Sequence, residues 1–342
     1  MRVLSKTFPS ALHHIISGWK NVFTSIGWDW AWWDGTKPIF DCFDEFKPDI
    51  FIGTTYDLDR ATAKCLAINN TKAVLKANNW GPYDDIIDIK KYPIGIADQK
   101  EKESAYKLSQ LIGDRLSLFN FYHPKRIHDT MLSWIDSGIN VIPMQPAADH
   151  FVYYPDYPDE KLECDISFVG GYWSYKGQNL SKYLFPLTNP VGKYRMKVFG
   201  TGWGIPQYCG VTDDDTVRKL FCSSKICPNV SEPHANKFGF EVNERVFKIS
   251  ACKSFCISDH IDSLVEDVFT KNEMPVARDE NEFIKMIEYF IDSPNLRKSH
   301  AEACYETVMK EHTYCHRINS LLRHLQYKEE AEKCLEILNG NK

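Results

Sequence analysis

Three common organising features are missing from this sequence. Its eleven cysteines include no CxxC pair, are odd in number and are irregularly spaced. Neither a structural zinc site nor a complete disulfide framework is therefore indicated. Cys304, His312, Cys315 and His316 form the one dense Cys/His group, and they lack the paired spacing of a zinc site. Most of the thiols are expected to be small buried hydrophobes in a reducing compartment. The opening MRVLSKTFPSALHHII has no basic start, continuous apolar stretch or small-residue cleavage site. No window approaches the roughly 20 apolar residues that cross a bilayer, so a cytoplasmic location is expected. An excess of positive charge is also missing. With 41 Lys and Arg against 46 Asp and Glu, the net charge is -5, which argues against strong nucleic-acid binding and leaves only a local basic cleft open.

What is present is a chain of 342 residues, 43% hydrophobic and 25% charged, enough for two ordinary domains with real cores. Short apolar runs alternate with amphipathic stretches, the pattern of a parallel sheet covered by helices. In the first half, strands are expected at 2–4, 49–53, 73–77, 116–121 and 139–143, with helices at 10–26, 59–69, 100–112 and 125–137. Ser10 is placed to cap the first of these helices. Residues 151–163, with Pro155 and Pro158, read as a connection. Strands then resume at 165–169, 196–199, 225–228 and 254–258. Three helices close the chain. Asp279 and Glu282 form a capping pair for one, Pro294 opens the next and Thr313 caps the last. The expected fold class is α/β, two Rossmann-like doubly wound parallel-sheet domains facing across a cleft. The expected domains are 1–155 and 156–312, with a C-terminal helix at 313–342 packing back toward the first.

In such sheets, ligands sit at the carboxyl ends of the strands. Three segments follow strands in the second half. Gly170-Gly171 ends one strand and precedes Lys176, an arrangement that reads either as a phosphate cradle or as a plain turn. Gly200 and Gly202, in FGTGWG, permit either close approach of a nucleotide or a sharp reversal. In GFEVNERVFKISAC, Asn243 is placed to cap a helix whose N-terminus would favour a pyrophosphate. Glu244 and Lys248, four apart, read either as site residues or as a surface ion pair. The run Asp213-Asp214-Asp215 follows no apolar strand and reads as a solvated charged turn rather than a metal motif.

The order VGG–x4–KG, VFGTGW, VNERVFKISAC, SFCISD and EHTYCHR resembles the C-terminal domain of CgeB-like, spore-maturation type glycosyltransferases, relatives of the family-4 retaining enzymes. In the first half, FKPDIFIGTTYDLDRA, a strand ending in NNWG, and INVIPMQPAADHFVYYP agree with it. The resemblance implies a GT-B fold with a nucleotide-diphosphate-sugar donor on the C-terminal domain and an acceptor on the N-terminal one. Carried over by position, Lys176 and Arg245 would meet the donor phosphates in the catalytic role. Gly170, Gly171, Gly200, Gly202, Glu241, Asn243, Glu244 and Lys248 would line the donor. Relatives often carry a ribose-binding glutamate at the position of Lys248 and a glycine at that of Lys253. A lysine accepts no hydroxyl proton, which leaves Glu241 or Glu244 as substitutes and an inactive homologue as an alternative.

On the acceptor side, Asp57, Asp59, Asn79, Asp84 and His123 follow strands of the first half, where a hydroxyl would be oriented. Asp59 reads equally as a helix cap and His123 as a loop residue before the next helix. Trp28, Trp30, Trp32 and Trp33 suit either sugar stacking or core packing. If the reaction is retaining, as the resemblance implies, the departing phosphate oxygen itself deprotonates the acceptor, and the protein supplies positioning and positive charge. Beyond the nucleotide sugar as co-substrate, no cofactor or metal is expected. The acceptor is a glycan, a protein or a small molecule. A nucleotide-sugar epimerase and a catalytically silent scaffold or carbohydrate-binding protein are the competing readings.

Overall fold

The computed structural model describes residues 1–55, 58–77 and 99–340. It divides into two compact units, one of Met1–Gln145 with Cys315–Lys342 and one of Pro146–Tyr314. The division falls at Gln145/Pro146 and not at 155/156. The Pro155 and Pro158 segment lies inside the second unit, held there because the Arg218 guanidinium donates to Asp156 at 3.1 Å and to the Val152 carbonyl at 3.3 Å.

In the first unit, β1 (Arg2–Lys6), α1 (Ser10–Ser25), β2 (Asp29–Trp33), α2 (Ile39–Phe46), β3 (Ile50–Thr54), α3 (Arg60–Ile68), β4 (Lys72–Lys76), α4 (Gln99–Ile112), β5 (Leu116–Asn120), α5 (Ile127–Ile135) and β6 (Asn140–Pro143) alternate. All six strands are parallel, in the order β2-β1-β3-β4-β5-β6. Strands β3 and β5 are buried at every position, as expected where helices cover both sheet faces. The tryptophan run is itself the edge strand β2, a strand not expected from the sequence. Trp30 packs on Trp32 at 5.3 Å, and Trp28, just before the strand, packs on Phe23 at 5.2 Å and on Tyr327 at 5.4 Å. Helix α1 begins at Ser10, but Pro9 stands in the cap position, so Ser10 is not the cap.

The second unit runs β7 (Cys164–Val169), α6 (Ser174–Tyr183), β8 (Met196–Phe199), β9 (Tyr208–Gly210), α7 (Asp214–Ser223), β10 (Ser224–Asn229), α8 (Pro233–Phe238), α9 (Glu244–Ala251), β11 (Cys256–Asp259), β12 (Val276–Ala277), α10 (Glu280–Ile291) and α11 (Pro294–Glu311). Its parallel order is β12-β11-β10-β7-β8-β9. This is the doubly wound arrangement of dinucleotide-binding folds, whose strand order reverses between β7 and β10, the topological switch point. Strands β9 and β12 are too short, at 3 and 2 residues, to leave a readable pattern. The core joins Phe168, Val198, Ile226 and Ile257 from the sheet with Phe283 and Ile287 of α10.

Helices α12 (Tyr314–His324) and α13 (Lys328–Gly340) end the chain. The α12 stripe Tyr314, Ile318, Leu321 and Leu322 is fully buried. At α10, Asp279 caps by accepting from the Glu282 N–H at 2.8 Å, while the Glu282 carboxylate takes the N–H of Arg278, one residue outside a standard capping box. The triple aspartate is the start of α7 rather than a turn. Asp213 accepts from the Thr216 N–H, Asp214 from the Tyr153 hydroxyl at 2.6 Å, and Asp215 pairs with Arg218 and Lys219. Among the described residues, no helix is long and apolar enough to cross a membrane.

Candidate functional site

The carboxyl ends of β7 and β10 meet at the switch point of the second unit. Strand β7 stops at Gly170 because the next loop lies flush against it. The Gly170 N–H donates to the Phe199 carbonyl at 2.9 Å, the Tyr172 N–H to the Thr201 carbonyl at 2.7 Å, and the Trp203 indole to the Gly170 carbonyl at 2.7 Å. Gly200 has φ +131, and a Cβ there would lie 2.2 Å from the Gly170 oxygen. At Gly202, with φ +82, a Cβ would lie 2.4 Å from the Tyr172 oxygen. These two glycines, expected on the donor, are demanded by loop-to-loop packing. A Gly200→Ala variant has no unstrained solution, because the obstacle is backbone; backbone strain of this kind costs on the order of 1–3 kcal/mol before any clash is added. Its melting temperature is expected several degrees below wild type. A melting curve superimposing on the wild type would show that the loops have room to part.

Arg245 is the second residue of α9 and crosses the switch point beneath Gly170. Its Nε donates to the Val169 carbonyl at the end of β7, at 2.7 Å. Its Nη1 donates to Asn229 Oδ1 at the end of β10, at 2.8 Å, and more weakly to the Val230 carbonyl at 3.4 Å. The guanidinium lies 4.6 Å from the Phe168 ring centre, a cation–π distance. A Cβ at Gly170 would sit 2.7 Å from Nη2, so Gly170 is what lets the fork reach this surface. Among the described residues Nη2 donates to no protein group.

Lys176, in the first turn of α6, is 7% exposed at its side chain and pairs with Glu232 Oε1 at 3.1 Å. Glu232 precedes α8 but does not cap it; its carboxylate turns to the lysine instead. Burial lowers the Lys176 pKa, and the nearby Arg245 charge lowers it further against the pull of Glu232. Burial alone would raise Glu232, yet Lys176 and Arg245 together hold it below the usual 4.5. The two directions are consistent: Glu232 feels both cations, and Asp259 is a second carboxylate acting on each of them. Asp259, fully buried at the end of β11, accepts from the Ser231 N–H, the Ser231 hydroxyl and Asn236, each at 2.9 Å. Burial pushes it above its ordinary value, opposed by the hydrogen bonds it accepts.

Asn243 occupies the α9 cap position without capping. Its amide donates to Asn229 Oδ1 and Ser231 Oγ, both at 3.3 Å. The first turn of α9 thus carries no side-chain cap, beside the Arg245 fork. Gly170, Gly171, Gly200, Gly202, Lys176, Asn243 and Arg245 therefore gather at one end of one sheet. Other expected residues have different work. Glu244 accepts from the buried Tyr314 hydroxyl at 2.6 Å and pairs with Lys248 at 2.8 Å, and Lys248 lies over the Tyr153 ring at 4.9 Å. Glu241 pairs with His234 at 3.4 Å, and the His234 ring stacks on Tyr175.

In the first unit Asp59 caps α3 by accepting from the Thr62 N–H at 2.7 Å. His123 stands before a short 3₁₀ turn and accepts from the Lys125 N–H at 3.3 Å. Both sit where helix and loop geometry alone would put them. Asp57, Asn79 and Asp84 lie outside the described residues. Sequence reasoning overlooked Asn229, Glu232, Asn236 and Asp259. The signal was available, since Asn229 and Asp259 end β10 and β11, and VSEPHAN follows β10, by the same rule that selected Gly170.

Residues 183–323 match the family model described as glycosyl transferase-like. A comparison with curated proteins finds no significant match. Among solved structures, sucrose-phosphate synthase from Thermosynechococcus elongatus aligns at a TM-score of 0.62 and 9% identity, over 96% of this chain and 98% of that one. T4 phage BGT in complex with its UDP-glucose substrate aligns at 0.59 and 12% identity, over 97% and 99%. Anabaena HepE in complex with UDP and glucose aligns at 0.62 and 9% identity, over 96% and 100%. The chain thus has the GT-B fold of glycosyltransferases, and its residues 183–323 are glycosyl transferase-like in sequence as well.

Proposed function

We propose that the chain is a glycosyltransferase that takes a hexosyl group from a uridine-diphosphate sugar and delivers it to a hydroxyl acceptor. The observation that carries this reading is the gathering of Arg245, Lys176 and the glycines at the β7/β10 switch point. Arg245, whose Nη2 donates to no described protein group, and Lys176, paired with Glu232, lie there with the uncapped start of α9. A diphosphate is the anion such a place suits, because its charge is high and its oxygens accept planar N–H pairs. The choice of uridine is drawn from the UDP complexes of the T4 phage and Anabaena proteins.

In this mechanism Arg245 and Lys176 hold the leaving diphosphate and stabilise the charge that grows on it as the sugar bond breaks. A metal-independent reaction with retention, the CgeB-like assignment and a cytoplasmic location belong to the same proposal. The acceptor oxygen then bonds the anomeric carbon on the face from which the phosphate leaves, and the leaving phosphate oxygen takes the acceptor proton. No acid–base side chain is needed for that step.

Titration calorimetry of the full chain with UDP, ADP, GDP and UDP-glucose is the direct test. Binding of UDP in the micromolar range, with weaker binding of the purine nucleotides, is expected. Absence of heat with all four would favour a silent scaffold, a reading that gains from the Lys248–Glu244 pair standing where relatives often place a ribose ligand.

A further inference from the structure

At the opposite, amino-terminal end of the second unit's sheet lies an open cavity of about 560 Å3. Cys164, Ser224 and Phe255, at or beside the starts of β7, β10 and β11, form its floor, and Cys222 and Cys252 form part of its wall. Cys222 is the penultimate residue of α7, and Cys252 is the C-cap of α9. The Cys222 thiol donates to the Cys252 carbonyl oxygen at 3.6 Å. Cys222 is half-buried and Cys252 is buried at 2% exposure. The two cysteines thus line one cavity and touch each other, with Cys222 the more exposed.

We propose that Cys222 and Cys252 form an oxidisable dithiol, in which Cys222 reacts with a small hydroperoxide entering the cavity and Cys252 resolves it as a disulfide joining α7 to α9. The Cys222 sulfur attacks one peroxide oxygen, and the O–O bond breaks. Cys222 becomes a sulfenic acid, and the departing hydroxide takes the Cys222 proton as water. Cys252 sulfur then attacks the Cys222 sulfur, the S–O bond breaks, and that hydroxide leaves with the Cys252 proton as a second water. Two thiols lose two electrons, and one hydroperoxide gains them.

The other thiols with resolved shifts point away from such chemistry. Burial raises Cys164, Cys227, Cys256 and Cys304 in the same unit. Burial raises Cys252 as well, whereas Cys222 is lowered, to about 7, chiefly by its interaction with Cys252 and further by the backbone at Asp156. Thiolate content selects the site of oxidation. Cytosolic disulfides, where they occur, are mostly transient and redox-sensing.

The test is peptide mapping of the whole reduced protein after brief treatment with hydrogen peroxide and alkylation of the remaining thiols. A Cys222–Cys252 cross-linked peptide, two hydrogens lighter than the sum and reversed by dithiothreitol, is expected. Cys209→Ser, which removes an exposed thiol, should leave the cross-link unchanged. In Cys252→Ser, dimedone should trap a sulfenic acid on Cys222. At pH 7 Cys222 should be alkylated roughly three- to fifteen-fold faster than an ordinary thiol, the range set by its larger thiolate fraction and its lower nucleophilicity. Over-oxidation of Cys222 without the cross-link, or a bridge to any other cysteine, would overturn the proposal. This readout is independent of nucleotide binding, so it stands or falls apart from the function proposed above.

Discussion

Arg245→Lys is expected to weaken UDP binding by roughly ten- to a hundredfold, since a charge-assisted bond lost from a planar fork is worth about 1.5–3 kcal/mol. Lysine keeps the charge but cannot span Val169, Asn229 and a ligand oxygen together. Arg245→Ala should abolish binding, with a second consequence. Removal of the guanidinium takes a donor from the Val169 carbonyl and the Val230 carbonyl, and leaves Asn229 Oδ1 only the long bond from Asn243. Each buried acceptor left this way costs about 1–3 kcal/mol, so the alanine variant should melt several degrees lower as well. The arginine is therefore part of the fold and of the site at once, and the lysine variant is the cleaner probe. Calorimetry on a folded Arg245→Lys protein that gave wild-type UDP affinity would remove Arg245 from the site.

The second large effect concerns the Lys176–Glu232 pair. Lys176→Met keeps the stem volume but strands a mostly buried carboxylate, a loss of about 3–5 kcal/mol when one partner of a buried pair is removed. The double variant Lys176→Met, Glu232→Gln should recover most of that stability. Neither variant should recover transfer, because the cation facing the leaving group is gone; a loss of about 10²–10³-fold in kcat is expected. Rescue of transfer by the double variant would mean that Lys176 serves only to neutralise Glu232. The pair also sets a pH response. Glu232 is held below 4.5 in the folded protein, so its contribution to stability is complete above pH 4.5 and is lost as pH falls through the lower folded value. Thermal denaturation followed from pH 7 to 3 should show a shallower acid decline in the double variant than in the wild type. Identical pH profiles would remove Glu232 from the acid response.

Much of the framework was legible in the residues. Continuous apolar strands such as DIFIG and DISFV, the proline at Pro294, the Asp279 cap and the α12 stripe are local signals, read by the periodicity of one element at a time. Gly170 and Lys176 were legible through a topological rule, since a doubly wound sheet presents its ligands after its strands. Local signals failed where elements were very short, as in β9 and β12. They also failed where aromatic residues masked a strand, as in Trp30–Trp32 of β2.

Which residue does which task was settled elsewhere. Glu244 and Arg245 are adjacent in sequence, yet the helix turns one toward Tyr314 and Lys248 and the other beneath Gly170. The sequence supplied the charges and the glycines, because side-chain chemistry and permitted backbone angles are properties of single residues. Pairing Lys176 with Glu232, or Cys222 with Cys252, belongs to the tertiary structure alone. Such contacts join distant segments, and their electrostatics depend on burial and on neighbours that no local pattern encodes.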